Sequence, residues 1–182
     1  FFCFTHFIDR DGKYQLKMLS TSSFQPLSAS MGPMLKEESF HLGTGANGLR
    51  RIVKAGVIPI SFLQKYINKW VSTGIDLFGT DESTSAQWAY VYGVKGRYDE
   101  RESDQEADRE HLNEASRGLY FDELKAEMVR ISKGRKDGEP ELYIPSDKFN
   151  RGIGMYSSGM YTVTGEDFNG TEDEYRAYLA EV

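Results

Sequence analysis

Apolar residues return every three or four positions through most of the first 98 residues, a period that predicts helices rather than strands. Residues 1–19 form a mainly apolar run interrupted by Asp9-Arg10-Asp11-Gly12, and residues 27–55 carry a second periodic stretch. The two read as antiparallel helices, joined by a connection that opens with Ser20-Thr21-Ser22-Ser23. Pro59 breaks the pattern, and residues 60–78 resume it through Phe62, Leu63, Tyr66, Ile67, Trp70 and Ile75, with Gly74 and Gly79 weakening or ending it. Residues 81–92 predict a further helix, capped near Thr80 or Asp81.

After Gly96 the pattern changes. Residues 98–113 are dense in charge and poor in apolar positions, as in a solvated connection or a polar helix. Residues 119–131 recover an amphipathic pattern with Leu124, Met128 and Ile131 on one face, and residues 133–140 read as a charged loop. Residues 141–144 and 160–164 are candidate short strands, and residues 173–179 a terminal helix. The expected fold is mainly α, with residues 1–98 as one helical unit and residues 99–182 as a C-terminal helical and irregular extension.

Ionisable residues enter the apolar rows in two places. Met31, Met34, Glu38, His41, Gly45, Leu49 and Ile52 share one helical face, so Glu38-x-x-His41 sits in an otherwise apolar or small-residue stripe. Three residues turn a helix by roughly 300°, which leaves the carboxylate and the imidazole about 60° apart and able to share a metal. A carboxylate facing a core costs several kcal/mol unless a charge or a metal compensates it. The alternative is a half-buried Glu and His that satisfy each other or the backbone. Upstream, Asp9 shares a face with Phe2, Thr5, Leu16 and Leu19, while Asp11 lies in the row of Phe4, Ile8, Tyr14 and Met18. Periodicity does not choose between the two. Asp11-Gly12 could also turn a hairpin, although residues 13–19 continue without β-branched enrichment.

Other patterns carry less. Gly32-Pro33 should kink the second helix or mark a late start. Gly43-Thr44-Gly45-Ala46-Asn47-Gly48 matches a dinucleotide-binding pattern, but that motif needs a preceding strand, and here small residues better serve close helix approach. Asp108 and His111 repeat the acid-x-x-His spacing among Glu106, Arg109 and Glu110, as on a solvated face, and His6 has no acid three residues before it. Ser22, Ser39 and Ser83 lack a nucleophile elbow, Cys3 lacks a base, and Ser83-Thr84-Ser85 reads as a cap or turn.

Composition narrows the class. Hydrophobic residues make up 39% of the chain and no apolar run reaches the ~18 residues of a membrane span. The lone Cys3 excludes an internal disulfide and fits a reducing, cytoplasmic compartment, with its thiol as a small buried apolar group. Residues 1–98 carry 11 basic and 7 acidic side chains and residues 99–182 carry 11 and 21, so the acidic half speaks against nucleic acid. Arg50, Arg51, Lys54, Lys65 and Lys69 read as solvated helix faces, although the basic half could favour an anionic CoA tail.

Several segments carry a family resemblance. Phe1-Phe2-Cys3-Phe4-Thr5, Ile8-Asp9-Arg10-Asp11-Gly12-Lys13-Tyr14-Gln15-Leu16, Phe24-Gln25-Pro26-Leu27 and Met34-Leu35-Lys36-Glu37-Glu38-Ser39-Phe40-His41 resemble the oxygenase components of benzoyl-CoA 2,3-epoxidases. Gln64-Lys65-Tyr66, Asp76-Leu77-Phe78-Gly79, Lys95-Gly96-Arg97-Tyr98 and Phe149-Asn150-Arg151-Gly152-Ile153-Gly154 extend the match. Lys36-Glu37-Glu38-Ser39-Phe40-His41 also resembles the catalytic subunit of phenylacetyl-CoA epoxidases.

The resemblance implies a ferritin-like di-iron bundle, with dioxygen as co-substrate and one oxygen atom inserted into the aromatic ring of an acyl-CoA while the other leaves as water. It assigns Asp9, Glu38 and His41 as iron ligands, with no further catalytic residue and no other cofactor-binding residue on this chain. Electrons would come from a separate NADPH-dependent flavin and iron-sulfur reductase, since the chain shows no flavin, nicotinamide or iron-sulfur motif. No nucleic-acid or membrane partner is implied.

A complete di-iron site needs two Glu-x-x-His helices and two further carboxylate helices. The chain supplies half of that set and starts at Phe1 inside an apolar run, so the expectation is a fragment with the second half of the bundle, inactive alone, and an open apolar surface near Asp9 and His41. The competing reading is a noncatalytic ferritin-like iron-binding or structural protein.

Overall fold

The computed structural model describes residues 1–102, 110–149 and 159–182. Six helices account for its regular structure: α1 (Phe2–Leu19), α2 (Gln25–Ala55), α3 (Ile60–Leu77), α4 (Thr84–Val91), α5 (Leu112–Ser132) and α6 (Glu172–Glu181). No strand longer than a single bridge occurs among the described residues. The mainly α expectation holds.

Helix α1 is the organising element. It packs along α2 and against α3 and α5. Its apolar positions Cys3, Phe7, Tyr14 and Met18 enter a core shared with Leu49 and Val53 of α2, Leu63, Ile67, Val71 and Ile75 of α3, and Tyr120, Leu124, Met128 and Ile131 of α5. Burial pushes the Cys3 thiol up to about 12, so it stays protonated and apolar in character. Inside the core the Tyr120 hydroxyl donates to the Phe7 carbonyl at 3.1 Å.

The long helix α2 starts at Gln25 and runs through Pro33, so Gly32-Pro33 does not delay its start. Proline leaves the carbonyl of Ala29 without its helical donor, but Ala29 and Pro33 are both exposed, where water can serve. Glycine pairs do a different job further along. A Cβ built on Gly45 would lie 2.7 Å from the His6 backbone nitrogen, and one on Gly48 would lie 2.3 Å from the Phe2 ring. The G-x-G-x-x-G stretch is therefore a helix contact, with no strand before it.

Gly45→Ala is expected to destabilise the protein by about 1–3 kcal/mol through overpacking against rigid backbone, less up to about 1 kcal/mol gained in helix propensity. Urea denaturation would read the net loss, and an unchanged midpoint would mean that the helices can separate freely. Gly43→Ala is the comparison, since nothing lies within 4 Å of the added methyl there.

Four expectations need correction. Helix α5 starts at Leu112 rather than near residue 119, because Asp81 caps it from a distance, accepting from the Asn113 and Glu114 N–H groups at 2.9 Å. Helix α4 is capped instead by Ser83, whose hydroxyl accepts from Ala86 N–H. Residues 141–144 are not a strand: the Tyr143 N–H and carbonyl are both bound, each at 2.9 Å, by the Gln64 side chain. Tyr161 makes only an isolated antiparallel bridge with Asp167.

The terminal helix agrees with expectation and gains a reason, a capping box in which Thr171 and Glu174 satisfy each other's backbone N–H groups. Asp108 and most of Phe149-Asn150-Arg151-Gly152-Ile153-Gly154 lie outside the described residues, as does part of the charged 98–113 stretch. No helix among the described residues is long and apolar enough to cross a membrane.

Candidate metal site

The antiparallel contact of α1 and α2 brings three donors together. Asp9 faces α2 from the middle of α1, and Glu38 and His41 face α1 from successive turns of α2. One donor atom from each lies within 4.8 Å of the other two. His41 Nδ1 is 3.4 Å from Asp9 Oδ2 and 3.5 Å from Glu38 Oε2. Small residues set the spacing, since Gly45 one turn after His41 lets α2 lie against the α1 backbone at His6.

The electrostatics leave this cluster short of positive charge. Burial raises the carboxyl pKa of Asp9, with His41 opposing, and Glu38 is raised by burial and then by the charge of Asp9. Glu38 Oε2 is shielded from solvent and makes no hydrogen bond among the described residues. Burial and the Asp9 charge make the ionised form of Glu38 costly, and a divalent cation held between the two carboxylates would offset that cost. Two carboxylates and one imidazole suit iron, manganese or zinc. Half of the His41 side chain remains exposed, so the cluster opens to one side.

Asp11 belongs elsewhere. It is 4% exposed and accepts from Gln15 Nε2 at 3.2 Å. Lys95 Nζ crosses to Gln15 Oε1 at 2.8 Å and to Asn113 Oδ1 at 2.6 Å, tying the segment after α4 and the start of α5 to α1. The choice between Asp9 and Asp11, open to periodicity, is thus a choice of helix face that only packing makes.

Burial pushes the Asp11 carboxyl up to about 7, against the pull of Gln15 and Lys95. The folded state holds this proton where the unfolded chain, with a value near 4, has released it. Asp11 therefore favours folding below about pH 4, and that contribution is lost as pH rises to about 7. Asp11→Asn should gain stability relative to the native protein between pH 5 and pH 8, by on the order of a few kcal/mol. Urea midpoints at the two pH values test this, and a constant difference would contradict it.

No family model matches the chain. It is similar to benzoyl-CoA oxygenase component B of Aromatoleum evansii, 39% identical over 119 residues, covering 55% of this chain and 25% of the relative. The chain spans about a quarter of that protein's length. The relative's name makes it one component of an oxygenase, and this chain is related to it over the matched region.

Sequence reasoning missed a second polar assembly, one helix face away from the carboxylates. Glu127 of α5 is 5% exposed and lies 3.6 Å from His6 Nε2, 4.0 Å from Arg10, 3.8 Å from Arg50 and 2.5 Å from Arg130. Glu123 accepts from Arg10 at 2.5 Å, from Lys13 at 2.8 Å and from the Tyr14 hydroxyl at 2.9 Å. Burial first, and then the Arg10 charge, pull His6 down to about 3, so it is neutral in the folded protein. The available signal was Glu127 in the row of Tyr120, Leu124 and Ile131, three residues from Leu124 and otherwise apolar.

Proposed function

We propose that this chain contributes half of the ligand set of a di-iron centre in an oxygenase that epoxidises the aromatic ring of benzoyl-CoA. Asp9, Glu38 and His41 would hold the metal, and a bound iron pair would supply activation of dioxygen. The observation that carries this reading is the convergence of those three donors across α1 and α2, in a chain similar to an oxygenase component. The same arrangement, in which a single carboxylate on one helix faces a Glu-x-x-His on its antiparallel neighbour, supports a ferritin-like reading.

Each part of the chain then has a task. Gly45 and Gly48 set the helix spacing that keeps the donors within reach of one ion. The buried Glu127 assembly fixes α1 and α2 against α5, which limits how far Asp9 and His41 can drift. The remaining ligands would come from helices other than those described, and electrons from a separate NADPH-dependent flavin and iron-sulfur reductase. Retention of all three donors supports an enzyme over a structural subunit.

The test is iron content of the complete gene product, with oxygen-dependent conversion of benzoyl-CoA, phenylacetyl-CoA and a free aromatic acid in the presence of reductase. Two irons per polypeptide with epoxide from one thioester is the expected result, and the thioester used selects the substrate. Bound iron without turnover of any of them would favour a noncatalytic iron-binding protein. Absence of iron would sink the ligand assignment.

A further inference from the structure

Away from the carboxylate cluster, the ends of α2 and α5 meet in a cleft of about 650 Å³. Its walls carry Arg50 and Lys54 from α2, Arg130 from α5, and Lys133 and Arg135 from the segment that follows. A local excess of positive charge on a chain of net charge −6 calls for an explanation. The ordinary one is that cations sit at helix C-termini to complement the dipole. Lys136 does this, donating from Nζ to the Gly56 carbonyl at 2.9 Å, but it is not among the residues lining the cleft.

The carboxylates nearby do not balance the five cations. Glu127, which faces Arg50 and Arg130, is already engaged by His6 and Arg10. Glu141 approaches Arg135 Nη2 only at 3.5 Å, and its side chain is largely in solvent. Nε and Nη1 of Arg135 are shielded from water and make no hydrogen bond among the described residues. Arg135, which lines the cleft, therefore keeps donor capacity that its Glu141 contact does not use.

A second cleft, of about 510 Å³, adjoins the first through Lys133 and Arg135. Its floor is apolar, from Phe121, Met128, Leu142 and Ile144. The pair of clefts therefore offers a cationic mouth followed by an apolar trough, which fits an elongated molecule that bears clustered phosphates at one end.

We infer that Arg50, Lys54, Arg130, Lys133 and Arg135 form a binding site for the phosphate groups of an elongated organic phosphate, whose less polar part lies along the Phe121 and Met128 trough. Among such molecules the acyl-CoA of the proposed function carries a diphosphate and a ribose phosphate on a flexible arm. That identification of the bearer rests on the proposed function; the phosphate site does not.

Calorimetric titration of the complete gene product with CoA, with CoA lacking its ribose phosphate and with inorganic pyrophosphate tests both levels. Lys133→Ala/Arg135→Ala removes two cations outside the helices, and Arg176→Ala removes an exposed cation on α6 as a control. The expected result is CoA binding that weakens at least tenfold in the double variant, weakens with added salt, and is unchanged in the control. Tighter binding of CoA than of either simpler probe supports the acyl-CoA bearer. Pyrophosphate binding as tight as CoA, and equally lost in the double variant, supports the phosphate site and transfers it to a free phosphate ligand. Binding of neither compound, or binding indifferent to the double variant, overturns the site. Iron content is measured on the same proteins, so failure here with iron retained leaves the proposed metal role standing.

Discussion

Glu38→Gln is expected to abolish stable iron binding by the complete gene product while leaving the metal-free fold at least as stable as before. Loss of a partner that merely hydrogen-bonds a ligand weakens metal binding by about 10–100-fold, so loss of a ligand should weaken it by on the order of 100-fold or more. The stability half of the expectation has a separate cause. Burial and the Asp9 charge both raise the Glu38 pKa, which means that the ionised carboxylate opposes the metal-free fold. An uncharged amide of the same shape removes that opposition. Metal analysis after dialysis and a urea titration of the metal-free protein read the two effects independently. Retained iron in Glu38→Gln, with iron lost in Asp9→Asn, would displace Glu38 from the ligand set. Glu37→Gln alters the exposed neighbour and should change neither quantity.

Glu127→Gln is expected to be the most damaging single change to the fold. Glu127 has a side chain 7% exposed and is shared by Arg10, Arg50, Arg130 and His6, and Arg10 is itself 6% exposed. Removing one member of a buried ion assembly strands the charge that remains, at a cost of about 3–5 kcal/mol. For a chain of this length that corresponds to a fall of roughly 10 °C in Tm. Glu123 still pairs with Arg10 and Lys13, which places the expectation at the lower end of that range. Differential scanning calorimetry of Glu127→Gln and of Glu127→Gln/Arg10→Met provides the check. If stranded charge is the cause, the double variant recovers part of the loss, because the buried guanidinium has gone with its counter-ion. A double variant worse than the single one would point to packing by the Arg10 stem instead.

The pH behaviour sets His6, beside Glu127, against Asp11 on another face of α1. His6 is held neutral, so its contribution to folding is complete above about pH 6.5 and is lost as pH falls towards 3. Asp11 acts in the opposite sense across nearly the same interval. The acid limb of the native protein is thus a difference of two opposed terms. Asp11→Asn exposes the His6 term by removing the other.

Much of the helical order was legible along the chain because it depends on local period and punctuation. The 3.6-residue spacing identified α1, α2 and α3 to within about two residues, Pro59 separated the second from the third, and a terminal helix was expected over residues 173–179, inside the observed α6. Glu38-x-x-His41 was visible for the same reason, since both residues sit on one helix and its geometry alone puts them on one face. What failed locally failed where a partner was remote. The start of α5 depends on Asp81, thirty-one residues before its first helical residue, and the course of residues 141–144 depends on the Gln64 side chain.

By itself, the amino-acid sequence determined that this protein is built of amphipathic helices and that one of them presents a carboxylate and an imidazole together, because a helix repeats within a few residues and needs no distant partner to do so. Periodicity left Asp9 and Asp11 open until the family resemblance named Asp9; the tertiary structure turns Asp9 and not Asp11 towards that pair, and it alone decided that Glu127 lies buried among arginines and that five cations from three segments surround one cleft. Those are relations between faces of different helices, fixed by how closely Gly45 and Gly48 let α1 and α2 approach and by which side of α1 then turns towards α5.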